Sequence, residues 1–459
     1  MQFRFSKPLT PYSLPLIPSR GSSLLDVIFG TALFLIVFLG IFGALRLSFA
    51  LVESAKLKTG GLALASERVE YLRSLNYDEV GTVGGIPSGT LEQEETVSLN
   101  DVSYTRRTFI QYVDDAEDGS GGSDENGVST DYKVAKVTVS WPFRESTRSL
   151  SLITNIIPTG IESIVGGGTL RVTVQNAQGV AVPSAQVSVV NNATTPAISL
   201  STFTNTAGEV TFSGAPAASG YQITVSKTGY SSAQTYSVGG GNPNPSPGHL
   251  TVGEGQTTSS SLSIDVLGSI AITTHEVGTT TPIGNVAFSI RGDKTIGTDA
   301  EEDPVYKYTE NSTTGASGER TLSSLEWDNY TITIDDTATS YDIAGICVPQ
   351  PLSLLAGETE TVDISLTENV AHSLLVDVKN TAGDVLSGAS VRLYRGAYDT
   401  SSTSSSCGQS FFGDGLSQGT VAIGNPYSAD VSLSGYQIQT LSNVEVDGVS
   451  RLSVVLGSL

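Results

Sequence analysis

The stretch Arg20-Gly21-Ser22-Ser23-Leu24-Leu25-Asp26 opens the segment that decides the N-terminal part of the fold. It joins a basic leader to residues 27–45, nineteen residues that carry no charge and end before Arg46. At a rise of about 1.5 Å per residue such a segment forms a helix of roughly 28 Å, close to the hydrocarbon thickness of a bilayer. The sequence therefore predicts a helix that spans a membrane.

The position of Gly21 before this helix indicates how the chain is processed. A secretory signal peptide has a shorter apolar core and is cut on its far side, whereas a cut after Gly21 leaves the apolar segment in the mature protein. A basic leader that ends in Gly, four uncharged residues, one acid and an apolar run resemble the type III signal of type IV pilins and pseudopilins. The resemblance implies that prepilin peptidase cuts between Gly21 and Ser22, that the new amine is methylated, and that the leader (residues 1–21) stays in the cytoplasm.

Asp26 is the fifth residue counted from Ser22. A carboxylate near the end of a membrane helix is costly unless it faces water or finds a partner. The pilin resemblance implies that Asp26 pairs with the amine of Ser22 on a neighbouring subunit during filament assembly. Alternatively, Asp26 interacts with the positive end of the helix dipole, which favours acids in a first turn. The two roles are compatible.

The N-terminal signal also departs from the usual pilin pattern. The acid is Asp26 where pilins usually have Glu, the first mature residue is Ser22 where they usually have Phe, and the leader is long and rich in proline. These departures fit a minor pilin or pseudopilin better than a major pilin. They leave open a second processing route, in which ordinary signal peptidase cuts after Ala50.

The helix is expected to continue to about Leu75, so that residues 22–75 form the membrane and pilin helix. Its internal glycines favour either close helix packing or local unwinding; they are Gly40, Gly43, Gly60 and Gly61. Period-two alternation then predicts strands at 96–113, 132–141 and 148–157. Residues 76–160 should therefore form an antiparallel sheet, and a long helix on such a sheet is the architecture that the pilin resemblance implies.

An acidic loop interrupts the predicted sheet. Four of its carboxylates are candidate calcium ligands, because hard cations prefer several oxygen ligands on a flexible loop; they are Asp114, Asp115, Glu117 and Asp118. The spacing does not match an EF-hand loop, and the surrounding Gly and Ser favour a disordered loop without metal. The sequence leaves both interpretations open.

The rest of the chain contains a weak internal repeat of about 100 residues, with copies at 167–267, 268–367 and 372–459. Each copy opens with a strand, a turn and a second strand, continues with a second predicted hairpin whose later strand starts at Tyr221, Tyr330 or Tyr427, and closes with an alternating strand. Short strands at this density predict three tandem β-sandwiches of Ig-like or prealbumin-like type. The copies resemble carboxypeptidase regulatory-like domains. Residues 239–248, rich in Gly and Pro, are predicted to form a loop of the first copy.

The two cysteines fall in different copies of the repeat. Cys347 precedes the closing strand of the second copy, and Cys407 lies in a Ser-rich part of the third. Two cysteines in an exported chain favour a disulfide, which here would clamp neighbouring domains. The alternative is a pair of free thiols that are too distant to bridge.

Composition and motifs argue against several functional classes. The chain has 459 residues and a net charge of −22, and this acidity argues against nucleic acid or anionic lipid as a partner of the exported part. No nucleophile elbow, phosphate loop or Cys/His metal spacing is present. The three histidines are single and far apart: His249, His275 and His372. We therefore expect no enzyme activity, no metal site beyond the calcium candidate and no cofactor.

These features predict a mainly β protein with a long N-terminal helix, a pilin-like sheet and three β-sandwiches. The expected function is that of a minor pilin or pseudopilin of a type IV filament or a related secretion system. Its sandwiches would serve adhesion to a surface glycan or protein, or act as a stalk. The expected partners are other pilin subunits, prepilin peptidase and the inner membrane, with the C-terminal part outside the cell. The alternatives are a membrane-anchored surface protein that never polymerises and a module that binds glycans.

Overall fold

The computed structural model describes residues 24–113, 131–158, 167–335, 338–348 and 350–459. The chain divides into two compact units. One unit comprises the chain up to Tyr71 together with Glu94–Arg107 and Val137–Leu152. The other comprises Leu72–Gln93, Thr108–Lys136 and Ile153–Leu459. The predicted class, mainly β with one long N-terminal helix followed by sandwich sheets, is confirmed.

Helix α1 runs from Leu24 to Ser74 without interruption, close to the predicted end. It is long and apolar enough to cross a membrane. A short 3-10 helix, Tyr77–Glu79, follows it.

A four-stranded sheet in the order β1-β2-β3-β4 follows the helix; its strands are β1 (Glu94–Leu99), β2 (Val102–Val113), β3 (Tyr132–Phe143) and β4 (Ser146–Ile156). The single strand predicted at 96–113 is two antiparallel strands in the structure. Asn100 and Asp101, with φ of 52° and 63°, form the turn between them. Both residues tolerate the left-handed conformation that a two-residue hairpin turn requires, and the prediction missed this signal.

The first sandwich has two main sheets, ordered β10-β9-β6-β7 and β13-β5-β8. Its strands are β5 (Gly167–Gln175), β6 (Gln186–Asn191), β7 (Ile198–Phe203), β8 (Glu209–Pro216), β9 (Ala218–Ser226), β10 (Ala233–Gln234), β11 (Asn244–Pro245), β12 (Leu250–Val252) and β13 (Thr257–Ser263). One apolar cluster fills the space between the sheets, and Ile86 from the preceding loop belongs to it.

The second sandwich pairs sheet β19-β14-β23-β21 with sheet β18-β15-β20-β22. Its strands are β14 (Gly268–Glu276), β15 (Ala287–Gly292), β16 (Thr295–Thr298), β17 (Pro304–Tyr306), β18 (Thr309–Thr313), β19 (Glu319–Leu325), β20 (Asp328–Ile334), β21 (Tyr341–Cys347), β22 (Leu352–Leu354) and β23 (Thr359–Glu368). A second apolar cluster forms its core.

The third sandwich pairs sheet β27-β24-β30 with sheet β26-β25-β28-β29. Its strands are β24 (Ser373–Asn380), β25 (Ser390–Arg395), β26 (Tyr398–Thr403), β27 (Gln409–Phe412), β28 (Tyr427–Ser432), β29 (Gln439–Val444) and β30 (Val449–Leu456). A third apolar cluster forms its core.

The three sandwiches share one connectivity, which corrects the predicted hairpins. In each copy the first two strands lie in different sheets, as β5 and β6 do. The closing strand pairs parallel to the opening strand in all three copies. Strands of both sheets in a sandwich alternate between core-facing and solvent-facing residues. Alternation with period two therefore predicts that a strand borders the core, but it does not indicate which of the two sheets the strand joins.

Buried tyrosines occupy equivalent places in the three sandwiches. The hydroxyl of Tyr221 donates to the carbonyl of Pro216 at 2.6 Å, and that of Tyr330 donates to the carbonyl of Glu326 at 2.7 Å. Tyr427 donates to the carbonyl of Ser417 at 3.0 Å. Each aromatic ring fills part of the core, and its hydroxyl binds a backbone carbonyl. Tyrosine is therefore favoured at these positions both for its ring and for its hydroxyl.

Candidate functional site

The first half of helix α1 presents an unusually apolar surface. Every side chain from Val27 to Phe49 is exposed, and large residues such as Phe34 and Ile36 are about 70% exposed. Exposed apolar patches beyond a few hundred Å² mark surfaces that contact protein or lipid. This segment is therefore a candidate surface for membrane insertion and for subunit contact.

The second half of α1 packs on the sheet instead. Leu57, Leu64 and Ala65 are buried. The hydroxyl of Tyr104 donates to the carbonyl of Leu57 at 3.1 Å, and Arg106 Nη1 donates to the carbonyl of Leu64 at 3.2 Å. The first half of α1 therefore exposes its apolar side chains, and the second half of the same continuous helix packs on the sheet.

Gly60 and Gly61 lie where the sheet approaches the helix. A Cβ on Gly61 would come within 2.6 Å of Trp141 Cζ3, and a Cβ on Gly60 within 2.6 Å of the Tyr104 hydroxyl. The helix is unbroken at both positions. Local unwinding therefore does not occur at Gly60 or Gly61, where the helix packs closely on the sheet, and helix–helix packing at the glycines stays a prediction. A Cβ on Gly40 or Gly43 would meet no atom within 4 Å other than the backbone of the helix itself.

Several predicted site residues lie outside the described residues. These are the cleavage-site residues Gly21 and Ser22, the side chain of Asp26, and the calcium candidates Asp114, Asp115, Glu117 and Asp118. The backbone of Asp26 belongs to the first turn of α1. Their proposed roles stay predictions.

Within the described residues, no group of three or more His, Cys, Asp or Glu side chains is arranged to hold a metal ion. The histidines lie apart, and each has its own local contact. His249 Nδ1 is 3.0 Å from the Thr235 hydroxyl, His275 Nε2 is 3.0 Å from Asp363 Oδ2, and His372 Nδ1 accepts from the backbone N–H of Gly448 at 3.3 Å.

The Gly- and Pro-rich segment 239–248 joins the first two sandwiches. Its strand β11 pairs with β16 of the second sandwich, which in turn pairs with β17. The backbone N–H of Ser246 also donates to the carbonyl of Ile296 at 2.9 Å. The sequence predicted a loop here but gave no sign of its partner, since the pairing strand is some fifty residues away along the chain.

A charged cluster reinforces the same junction. Glu326 accepts from Lys294 Nζ at 2.8 Å and from Lys307 Nζ at 2.5 Å. Lys307 Nζ also donates to the carbonyl of Ser232 in the first sandwich at 3.0 Å. Burial lowers the pKa of Lys294, although the hydrogen bond to Glu326 opposes that effect. The cluster therefore serves to hold the junction together.

A disulfide joins the second and third sandwiches. Cys347, at the end of β21, is bonded to Cys407, two residues before β27, with their Cα atoms 5.4 Å apart. Strands β21 and β27 are each the edge of a sheet. Beside the disulfide, Gln409 is 3% exposed and contacts both sandwiches. Sequence reasoning missed Gln409, because nothing in its local pattern distinguishes it.

Part of the chain matches a known domain family. Residues 169–264, which form the first sandwich, match the model of the carboxypeptidase regulatory-like domain, as the sequence resemblance indicated. No curated protein sequence matches the chain.

Several solved structures show a remote similarity to this chain. The Bacillus anthracis TIE protein is 14% identical, with a TM-score of 0.19, and the match covers 80% of this chain and 74% of that one. A streptococcal ancillary pilin is 12% identical, with a TM-score of 0.19, and the match covers 64% of this chain and 99% of that one. The shaft pilin SpaA from Lactobacillus rhamnosus GG is 13% identical, with a TM-score of 0.17, over 42% of this chain and 98% of that one. TM-scores of this size carry no inference about fold or function, so the match that counts is that of the first sandwich to the carboxypeptidase regulatory-like domain.

Proposed function

We propose that this chain is a minor pilin or pseudopilin of a type IV filament or a related secretion system, with three β-sandwiches presented outside the cell. One observation carries the proposal: α1 is exposed from Val27 to Phe49, without a charge before Arg46, but is packed on a sheet further along. A helix of this kind needs a membrane before assembly and a core of neighbouring helices after it. The order of residues from Arg20 to Asp26 supports the same function.

Asp26 would direct the assembly step. Cleavage after Gly21 frees the amine of Ser22, which is positively charged at neutral pH. A carboxylate in the first turn of an apolar helix is stabilised by such a cation from a neighbouring subunit, because the surroundings offer few other partners. The pair would align the two helices along the filament axis.

N-terminal sequencing of the mature protein, recovered from membranes, tests the processing step. The proposal expects a chain that begins at Ser22 with a methylated amine. A chain that begins at Met1 or near Leu51 would refute prepilin processing.

The Asp26→Ala variant tests assembly. We expect the variant to insert into the membrane normally and to be lost from sheared filaments, whereas Asp26→Glu, which keeps the carboxylate, should still be incorporated. Glu53→Ala is a matched control, because Glu53 is an exposed acid further along the same helix. Incorporation of Asp26→Ala at the normal level would contradict the proposal.

An anchored surface protein that never polymerises is the second candidate, because the exposed segment of α1 fits a membrane anchor equally well. Copurification with filaments separates the two functions. In either case the sandwiches would serve adhesion or act as a stalk.

A further inference from the structure

A cavity of about 480 Å³ lies between the second and third sandwiches. This volume falls within the usual range of ligand sites. One wall is formed by residues 331–334 of β20 and residues 341–343 of β21, and the opposite wall by Ser373 and Leu375 of β24 with residues 449–451 of β30. Gln350 and Pro351 complete the lining.

The β20 wall is formed by the edge of its sheet. Strand β22 pairs with β20 at Asp328–Tyr330 and no further, so within the described residues no strand continues the sheet beside residues 331–334. Backbone groups alternate in direction along an antiparallel strand. Because the carbonyl of Ile332 points away from β15 and accepts from Gln350 Nε2 at 2.9 Å, the backbone of Ile332 and Ile334 faces the cavity.

Gln350 marks the point where a hydrogen-bond donor is missing. Its amide nitrogen is bound to Ile332, while its Oε1 is buried without a hydrogen-bond partner. A buried acceptor that lacks a donor costs about 1–3 kcal/mol. A ligand that displaces the Gln350 side chain and donates an N–H to its Oε1 would recover that free energy.

The opposite wall supplies apolar contacts and one cation. Leu375 is 3% exposed and packs with the core cluster of the second sandwich. Arg451, paired in register with Leu375, is the cation among the described residues that line the cavity. Arg451 is exposed, and burial nevertheless lowers its pKa, an effect that the nearby charge of Asp377 opposes. A carboxylate on a ligand would stabilise this cation. The acid in the lining, Asp342, is 2% exposed and accepts from the backbone N–H of Val370.

We infer that this cavity binds an extended peptide, which displaces the Gln350 side chain from Ile332, adds as a strand to the edge of β20 and carries an acidic side chain toward Arg451. Strand addition uses main-chain hydrogen bonds for affinity and alternate side chains for specificity. An N–H of the peptide backbone would replace Gln350 Nε2 at the Ile332 carbonyl, and the displaced Gln350 amide would bond to the peptide. Its apolar side chains would lie against Leu375 and Val449. This inference does not depend on filament assembly.

Fluorescence anisotropy on the full chain in detergent micelles tests the inference, with a labelled Thr-Val-Thr-Asp-Thr peptide as the probe, whose Val and Asp side chains share one face of the strand. We expect saturable binding below about 1 mM. The same peptide with its Val and Asp nitrogens methylated should bind at least about tenfold more weakly, since two backbone donors on one edge are lost. Replacement of the peptide Asp by Lys should weaken binding by a similar factor.

Variants of the protein locate the site. Arg451→Ala should weaken binding about tenfold, and Thr333→Trp, at an exposed position on the β20 wall, should block it without disturbing the core. Arg320→Ala removes an exposed arginine on β19, outside the cavity, and should bind normally. The absence of saturable binding, equal binding of the N-methylated peptide, or full binding by Thr333→Trp would each overturn the inference.

Discussion

Gln409 of the third sandwich accepts a hydrogen bond from the backbone N–H of Ile346 in the second, at 2.6 Å. The same side chain donates from Nε2 to Asp377 Oδ1 at 2.5 Å. Asp377 is 8% exposed, so the amide connects the edge strand of one sandwich to a buried carboxylate of the next. A hydrogen bond to a buried charged group is stronger than one between neutral groups.

Replacement of Gln409 by Leu should therefore destabilise the junction. The change leaves the Ile346 N–H and the Asp377 carboxylate without their partner, and we expect a loss of about 2–4 kcal/mol in the free energy of unfolding. Urea denaturation measures the loss. Gln437→Leu is the control, because Gln437 is an exposed glutamine of the same sandwich, and it should change the free energy little. Equal effects of the two changes would contradict the role of Gln409.

The disulfide at the same junction should stabilise the fold by restricting the conformations of the unfolded chain. Cys347 and Cys407 are separated by 60 residues, and closing a loop of that length is expected to stabilise the folded state by about 4 kcal/mol in the chain-entropy model. The Cys347→Ser/Cys407→Ser variant should lower the thermal midpoint, and reductant should lower that of the natural chain but not of the variant. Two reactive thiols in the denatured, unreduced chain would show that the bond does not form.

Gly61 offers a test of helix packing on the sheet. In an open helix, Gly→Ala stabilises by about 1 kcal/mol. At Gly61 the new methyl group would meet the Trp141 ring at 2.6 Å, so Gly61→Ala should instead destabilise the packed part by about 1–3 kcal/mol. Gly43→Ala is the matched control, since a Cβ there would meet no atom within 4 Å other than the backbone of the helix itself. Thermal unfolding in detergent, followed by Trp fluorescence, distinguishes them; a gain in stability for Gly61→Ala would refute close packing.

The elements that the sequence predicted well are those set by local patterns. An apolar run without charges predicted α1, and alternation predicted most of the strands. Tyr221, Tyr330 and Tyr427 were recognised as repeat positions from the sequence, although their hydrogen bonds to backbone carbonyls were not. The Asn100-Asp101 turn has a local signal, but the alternation continues across it, so the pattern predicted one strand where the structure has two left-handed residues between two strands.

The junctions could not be predicted from local patterns, because each depends on residues that are far apart in the chain. Gln409 and Ile346 are brought together by the contact of two edge strands, and β11 meets β16 across a domain junction. No periodicity encodes such a contact. The N-terminal site differs from the junctions, because its function was predicted from local sequence alone. The order of residues around Gly21 and Asp26 predicts cleavage and assembly, and the side chains that would test this prediction lie outside the described residues.

His275 should make the stability of the second sandwich depend on pH. It lies on the opening strand beside Asp363 of the closing strand, with Nε2 3.0 Å from Asp363 Oδ2, and its Nδ1 lies 3.0 Å from the carbonyl of Glu276. Burial tends to lower the pKa of His275, but the hydrogen bonds to Glu276 and Asp363 outweigh it, and the net pKa is raised. With both ring nitrogens facing acceptors, the protonated form is the one that the fold favours.

A group whose pKa is higher in the folded than in the unfolded state stabilises the fold when the pH is below its unfolded pKa. This stabilisation is lost as the pH rises through its folded pKa. The thermal midpoint should therefore fall as the pH rises above about 6.5, the unfolded pKa of histidine. Because Asp363 is about half exposed, solvent screening should limit the effect to about 1 kcal/mol or less. His275→Asn should flatten this part of the pH profile. If the thermal midpoint of His275→Asn depended on pH in the same way as that of the natural chain, the pH dependence would come from other groups.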